Sequence, residues 1–258
     1  MADLLARRTS VVPAALGGTV VVLQIAYPLL DGVARDRLTV VIVIVFASAC
    51  VAHAAVSRSA RTAGLLLVLT AVPGFVAEVV GVHTGLPFGS YHYTSSLGPT
   101  LFGVPPVVGL AWTMVAWPAA IAARRLVAGR AARIVVGAWA LASADLFLDP
   151  QMVAAGRWSW THPTPHLPGV PDVPLTNFAG WLLVALLLST ALQTLLSANC
   201  AADDTVPILL YLWLYVGWIV ALGGFLDLPA AAGWGALGMG LVAIPLAATQ
   251  RPRWGRVR

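Results

Sequence analysis

Three carboxylic acids sit in a chain that otherwise excludes charge from its apolar runs. Glu78, Asp145 and Asp149 each fall near the end of a long hydrophobic stretch, and an ionisable group inside such a stretch is a functional candidate by default. Asp145 and Asp149 are spaced i and i+4, on one helical face. Burial disfavours the charged form of a carboxyl, so one acid can keep its proton while a wetter neighbour ionises. Two carboxyls driven apart in this way make a donor and an acceptor for general acid–base chemistry. The bland alternative is that the acids cap loops or bond the backbone amides of folded-back segments. Asp149 precedes Pro150 and is expected to end its helix, because the residue before proline disfavours the α region.

Aromatic residues accompany the acids in a repeated layout. Gly89-Ser-Tyr91-His-Tyr93 follows Glu78, and Gly156-Arg-Trp158-Ser-Trp160 follows Asp145, each glycine 11 residues after its acid. Gly103-Val-Pro105 and Gly169-Val-Pro171 then recur downstream. The spacing i, i+2 in an extended segment places both rings of Tyr91/Tyr93, and both of Trp158/Trp160, on one side. Facing a pocket, these rings would grip a flat polyene and stabilise a carbocation through their π faces. As interfacial belt residues they need no further role. Phe88 and Trp181 join them as substrate-binding candidates. Asn177 is either an ordinary N-cap or a group that orients a water or a substrate hydroxyl. Two copies of one unit, 63–123 and 132–198, suggest a single membrane domain over 1–258 whose site is built from two halves.

The elements that must position these residues are membrane helices. The chain is 59% hydrophobic and only 10% charged, against about 25% charge in soluble domains, and its mean hydropathy is +0.87. A span needs roughly 20 mostly apolar residues. Eight are expected, at about 11–30, 38–57, 63–82, 103–123, 132–149, 177–198, 206–226 and 231–249, the last two separated by a tight turn at Asp227-Leu-Pro229. The fold class is therefore an all-α, polytopic helical bundle. All 15 basic residues are arginine. With the amino terminus inside, 12 of them fall on inner segments and three, Arg35, Arg37 and Arg157, on outer ones. This bias predicts a multi-pass cell-membrane protein with both termini cytoplasmic. The same clustering argues against nucleic acid as a partner. Arg7 and Arg8 before an apolar run resemble a signal sequence, but an uncleaved first span is the better reading.

The connections 83–102 and 150–176 then share the outer side. They are rich in Gly, Pro, Trp and Tyr rather than charge, so they are expected to fold back over a pocket, since non-helical backbone at membrane depth must be buried or line a wet cavity. The inner acids Asp203 and Asp204 read as a solvated cap for the next helix. The arginine-rich tail reads as an anchor to anionic membrane lipids, and Gly235, Gly238 and Gly240 as close-packing positions.

Metal and redox chemistry find little support. Cys50 and Cys200 lack CxxC spacing and imply neither disulfide nor zinc site. His162 and His166 are separated by prolines, and there is no HExxH. A cluster of His83, His92, His162 and His166 on the outer side remains open as a metal alternative. His53, alone in its span, reads as a hydrogen-bonded core residue. Neither a dinucleotide fingerprint nor a P-loop is present, so no soluble cofactor is expected.

The series Glu78…Gly81…Gly85-x-Pro87-Phe88-Gly89-x-Tyr91-x-Tyr93…Gly98-Pro99…Gly103-Val-Pro105…Ala111-Trp112 resembles the integral-membrane carotenoid biosynthesis family. So does Asp145…Asp149-Pro150…Gly156-x-Trp158-x-Trp160…Gly169-Val-Pro171…Asn177-Phe178-x-Gly180-Trp181. The resemblance covers about 60–200 by motif and the outer spans by hydropathy. The family contains cofactor-independent carotenoid 1,2-hydratases of the bacterioruberin and γ-carotene type. It implies addition of water to the terminal double bond of an acyclic carotenoid, with the hydrophobic substrate arriving from the bilayer, water as co-substrate, and other pathway enzymes as possible partners. On that reading Asp145 or Glu78 donates the proton, and its partner, with Asp149 and Asn177, binds the water. A small-membrane-type lycopene cyclase shares the first step but lacks its Pro-x-Glu-(Glu/Asp) signature here. A non-enzymatic isoprenoid carrier or scaffold and a proton-coupled transporter are the readings outside that chemistry.

Overall fold

The computed structural model describes residues 2–196 and 202–250, with side chains from Val11 onward. Among these, eight helical segments are long and apolar enough to cross a membrane. They are α1 (Ala2–Ala26), α2 (Gly32–Ser57), α3 (Ala60–Thr84), α4 (Val107–Leu126), the broken pair α5 (Arg130–Ala142) and α6 (Asp145–Ala154), α7 (Leu175–Leu195), α8 (Thr205–Gly224) and α9 (Pro229–Gln250). The protein is a polytopic all-α membrane bundle. Cys200 and the arginine-rich tail lie outside the described residues.

Local sequence explains the boundaries. The Ser59 hydroxyl accepts the Thr62 N–H at 3.0 Å and caps α3, which ends on Gly85 in the left-handed region. Pro229 opens α9, where its missing N–H costs nothing. The turn between α8 and α9 falls at Asp227-Leu-Pro229, as the sequence suggests.

α4 is the central post. It packs against α2, α3, α5, α7, α8 and α9. Ala116, Ala119, Ala120, Ala122 and Ala123 of α4 are buried and let neighbouring backbones approach closely. The outward faces are the reverse. Val68, Val72, Val76 and Val80 form an exposed apolar stripe one turn apart along α3. In water such a stripe would mark an interface, whereas in hydrocarbon it is the normal solvent face. Gly235 and Gly238 admit the α6 residues Phe147 and Leu146, because a Cβ at either would collide with those side chains. This is the close packing expected of them.

The fifth span corrects the sequence reading. The helix does not end at Asp149-Pro150. It breaks earlier, at Ser143–Ala144, and resumes as α6 through Pro150 to Ala154. Proline only biases its predecessor away from the helix, and here the buried packing of Phe147, Leu148 and Met152 holds the turn together. The second long connection therefore starts near Ala155.

The two connections meet at one end of the bundle. Strand β1 (Tyr91–Tyr93) pairs antiparallel with β2 (Trp158–Trp160), in the register Tyr91 opposite Trp160 and Tyr93 opposite Trp158. A second small ribbon, β3 (His166–Leu167) with β4 (Val170–Pro174), leads into α7.

At the other end, Asp203 and Asp204 are not both solvated caps. Asp203 does bond the Thr205 N–H at 3.0 Å, and Thr205 holds its carboxyl below the usual range. Asp204 instead forms a two-pronged pair with Arg58, at 2.8 and 3.0 Å. His53 is a satisfied core residue. It accepts the Trp117 indole N–H at Nδ1, 3.1 Å, and bonds the Asp203 carbonyl through Nε2, 2.9 Å.

Candidate functional site

The first half of the site is built on α3. Gly74, Glu78 and Gly81 lie one turn apart on a single face. A Cβ on Gly74 would collide with the Trp112 indole, and one on Gly81 would fall 2.8 Å from both the Phe88 ring and the Tyr91 hydroxyl. These glycines let α4 and the β1 segment close over Glu78. Three donors then converge on its carboxyl. Tyr91 and Tyr93 donate to Oε2 at 2.5 and 2.8 Å, and the Trp112 indole donates to Oε1 at 3.1 Å. Burial, and then the adjacent Glu78 charge, push both phenols up, so they remain neutral donors. Hydrogen bonds to a charged group contribute about 1.5–3 kcal/mol each, enough together to offset much of the several kcal/mol that burying a carboxylate costs.

The second half is built on α6 and α7. Asn177, the third residue of α7, is not the N-cap; Pro174 holds that position. Its amide Nδ2 instead donates to Asp145 Oδ2 at 2.8 Å and to Asp149 Oδ2. The Trp158 indole donates to Asp149 Oδ1 at 3.2 Å. Asp145 Oδ1 is buried without a partner among the described residues.

Between the halves lies a cavity of about 530 Å³. The β1–β2 ribbon presents its four rings to it in facing pairs. Tyr91 and Trp160 have centroids 5.5 Å apart, and Tyr93 and Trp158 5.3 Å apart. The alternate residues His92 and Ser159 lie on the opposite side of the ribbon and bond each other at 3.3 Å. Trp112 and Trp181 stack at 4.0 Å on another wall.

Nine of the ten sequence candidates line this cavity: Glu78, Phe88, Tyr91, Tyr93, Asp149, Trp158, Trp160, Asn177 and Trp181. Asp145 does not line it. It sits fully buried behind Asp149, so a direct role as proton donor to a ligand in the cavity is not its geometry. Sequence reasoning passed over Trp112 as a site residue, although Ala111-Trp112 closes the first motif. It also missed Gln24 and Trp213, which bond each other at 2.7 Å across α1 and α8 at the cavity wall; a glutamine within an apolar run was the available signal. Arg157, read as a charge on an outer loop, is completely buried. It pairs with Asp36 at 3.1 Å and donates to Thr39 at 2.8 Å. Among the described residues no group of three or more His, Cys, Asp or Glu is placed to hold a metal ion. His83, His92, His162 and His166 do not converge into one.

Comparison with known proteins places the chain in a family. Residues 39–248 match the family described as "Carotenoid biosynthesis protein". The chain is 37% identical over 136 residues to the bisanhydrobacterioruberin hydratase of Haloarcula japonica, covering 50% of this chain and 45% of that relative. The chain thus spans about half the length of the curated relative it matches. No solved structure matches. With the family's match extending across α2 to α9 and both halves of the cavity wall, this multi-pass membrane chain belongs to the carotenoid biosynthesis protein family.

Proposed function

We propose that this chain adds water across the terminal C1,2 double bond of an acyclic carotenoid end group, by acid catalysis and without a cofactor. The observation that carries the reading is the cavity. It is apolar and aromatic-walled, and its ionisable lining residues are two carboxylic acids and three tyrosines. Hydration of an alkene needs a dry acid, a cation-tolerant wall and one water, and these residues supply the first two. The likeness to a hydratase supports the same chemistry.

Asp149 is assigned as the proton donor. Its carboxyl shares one amide with Asp145, and two carboxylates this close cannot both ionise cheaply. A proton held by the pair is the acid that Asp149 presents to the cavity, with Asp145 as the reserve behind it. Asp149 gives that proton to the less substituted alkene carbon, leaving a tertiary cation. Glu78, acceptor to three donors, supplies the negative charge that stabilises this cation, and the Tyr and Trp faces add to it. Water then attacks the cationic carbon through an oxygen lone pair. The oxonium returns a proton to Asp149, restoring the acid.

Substrate reaches the chamber sideways. Ile25 of α1 and Val216 and Val220 of α8 line the cavity and are each more than half exposed, so the cavity opens between two membrane-spanning helices. The polyene shaft lies in this mouth with its end group inside.

The test is expression in cells that accumulate lycopene or another acyclic carotenoid, with products read by mass and absorption. The expected product carries the added mass of water and an unchanged chromophore. An isomer of unchanged mass would mean cyclisation instead. Unchanged pigment beside folded, membrane-inserted protein would sink the enzymatic reading.

A further inference from the structure

A second, smaller cavity of about 70 Å³ lies beside the reaction chamber, lined by Tyr27, Arg35, Gln151 and four apolar residues. Tyr27 and Gln151 also line the large cavity, so these two side chains form the partition between the spaces. Both are buried, and the Tyr27 hydroxyl and Gln151 Oε1 have no hydrogen-bond partner among the described residues. The buried Arg157 guanidinium lies 5.8 Å from the centre of the Tyr27 ring. Its Nη2 is taken by Asp36 and Thr39, while Nε and Nη1 are unpartnered among the described residues. Thr39 also lines the large cavity.

Buried polar groups are nearly always hydrogen-bonded, to protein or to ordered water, and leaving one orphaned is costly. Two residues with orphaned polar atoms at one wall, with the half-partnered Arg157 guanidinium against Tyr27, therefore call for a small polar occupant. The space suits a few waters, is polar, and offers several partners. We infer that the Tyr27–Gln151 partition, backed by the Arg157 guanidinium, is a water-binding site that passes co-substrate water from the small cavity into the reaction chamber. Gln151 and Asp149 both line the large cavity, which brings the site to the chamber where the cation forms. Substrate and water thus enter by different routes, the polyene between α1 and α8 and the water past Tyr27 and Gln151.

This inference rests on the hydration reading and makes a separable prediction. Once formed, the tertiary cation either gains water or returns to Asp149 a proton from the carbon just protonated, regenerating the alkene. In D2O the first course yields deuterated alcohol, and the second leaves deuterium in recovered alkene. Gln151→Leu and Tyr27→Phe should lower the alcohol about tenfold, one hydrogen bond's worth, while deuterium still enters the alkene. Variants that keep the wild-type ratio of alcohol to deuterated alkene would overturn the water site and leave the hydratase reading intact. If wild type forms neither product, hydration itself fails. The site is then judged by radiolytic hydroxyl footprinting of the intact protein in membranes. Oxidation of Tyr27 that falls in Gln151→Leu supports bound water there, and a Tyr27 that is unreactive in wild type overturns it.

Discussion

The two halves of the site use one layout and give their carboxyls different hydrogen-bond partners. In the α3–β1 half, one acid meets a hydroxyl-bearing strand, and Tyr91, Tyr93 and Trp112 saturate Glu78 with three donors. In the α6–β2 half, two acids one turn apart meet an indole-bearing strand. One Asn177 amide is divided between them, and among the described residues Asp149 gains only the Trp158 N–H besides. Donor supply thus separates a carboxyl with three donors from a pair left short of them. The strand residue types thus set how many donors each carboxyl receives.

The sharpest way to break this contrast is to neutralise each acid in turn. Asp149→Asn should lower hydration by about 10²–10⁴-fold, the contribution of a positioned general acid, and abolish deuterium entry into the alkene in D2O. Glu78→Gln should cost about 10²–10³-fold, as removal of one electrostatic stabiliser does, while some exchange persists. If Glu78→Gln abolished exchange and Asp149→Asn retained it, the roles would be reversed. Asp145→Asn should fall below both, at about tenfold, because it acts through Asp149; product formation per folded protein in membranes reads all three.

Smaller effects test the donors. Tyr91→Phe and Tyr93→Phe each remove a bond to Glu78 and should lower the stability of the solubilised protein by about 1.5–3 kcal/mol, seen as a lower thermal midpoint. Equal midpoints for wild type and Tyr91→Phe would mean that Glu78 does not depend on that hydroxyl. Trp158→Phe keeps the aromatic wall and removes one neutral donor from Asp149. Its cost should be about 0.5–1.5 kcal/mol, a loss of about tenfold or less in turnover, and smaller than that of Asp145→Asn.

Much of this was legible from one dimension. Hydrocarbon thickness demands long uninterrupted apolar runs, so all eight spans could be counted before any packing was known. In an extended segment the i, i+2 spacing of Tyr91/Tyr93 and Trp158/Trp160 puts each pair of rings on a shared side, and the ribbon obeys it. These are local properties, dictated by covalent geometry and by solvent.

What only the tertiary structure decided depended on partners distant in the chain. The i, i+4 spacing placed Asp145 and Asp149 on one face, yet which of them reaches the cavity turned on the break at Ser143–Ala144 and on where Asn177 of α7 lies. Arg157 looked like a loop charge because its counter-ion, Asp36, is on α2. Gln151 looked unremarkable until Tyr27 came to rest beside it. An apolar run announces that it will be buried in lipid or protein, since its transfer free energy belongs to its own side chains. A hydrogen bond or an ion pair belongs to two groups at once, and the second one is placed only by the fold.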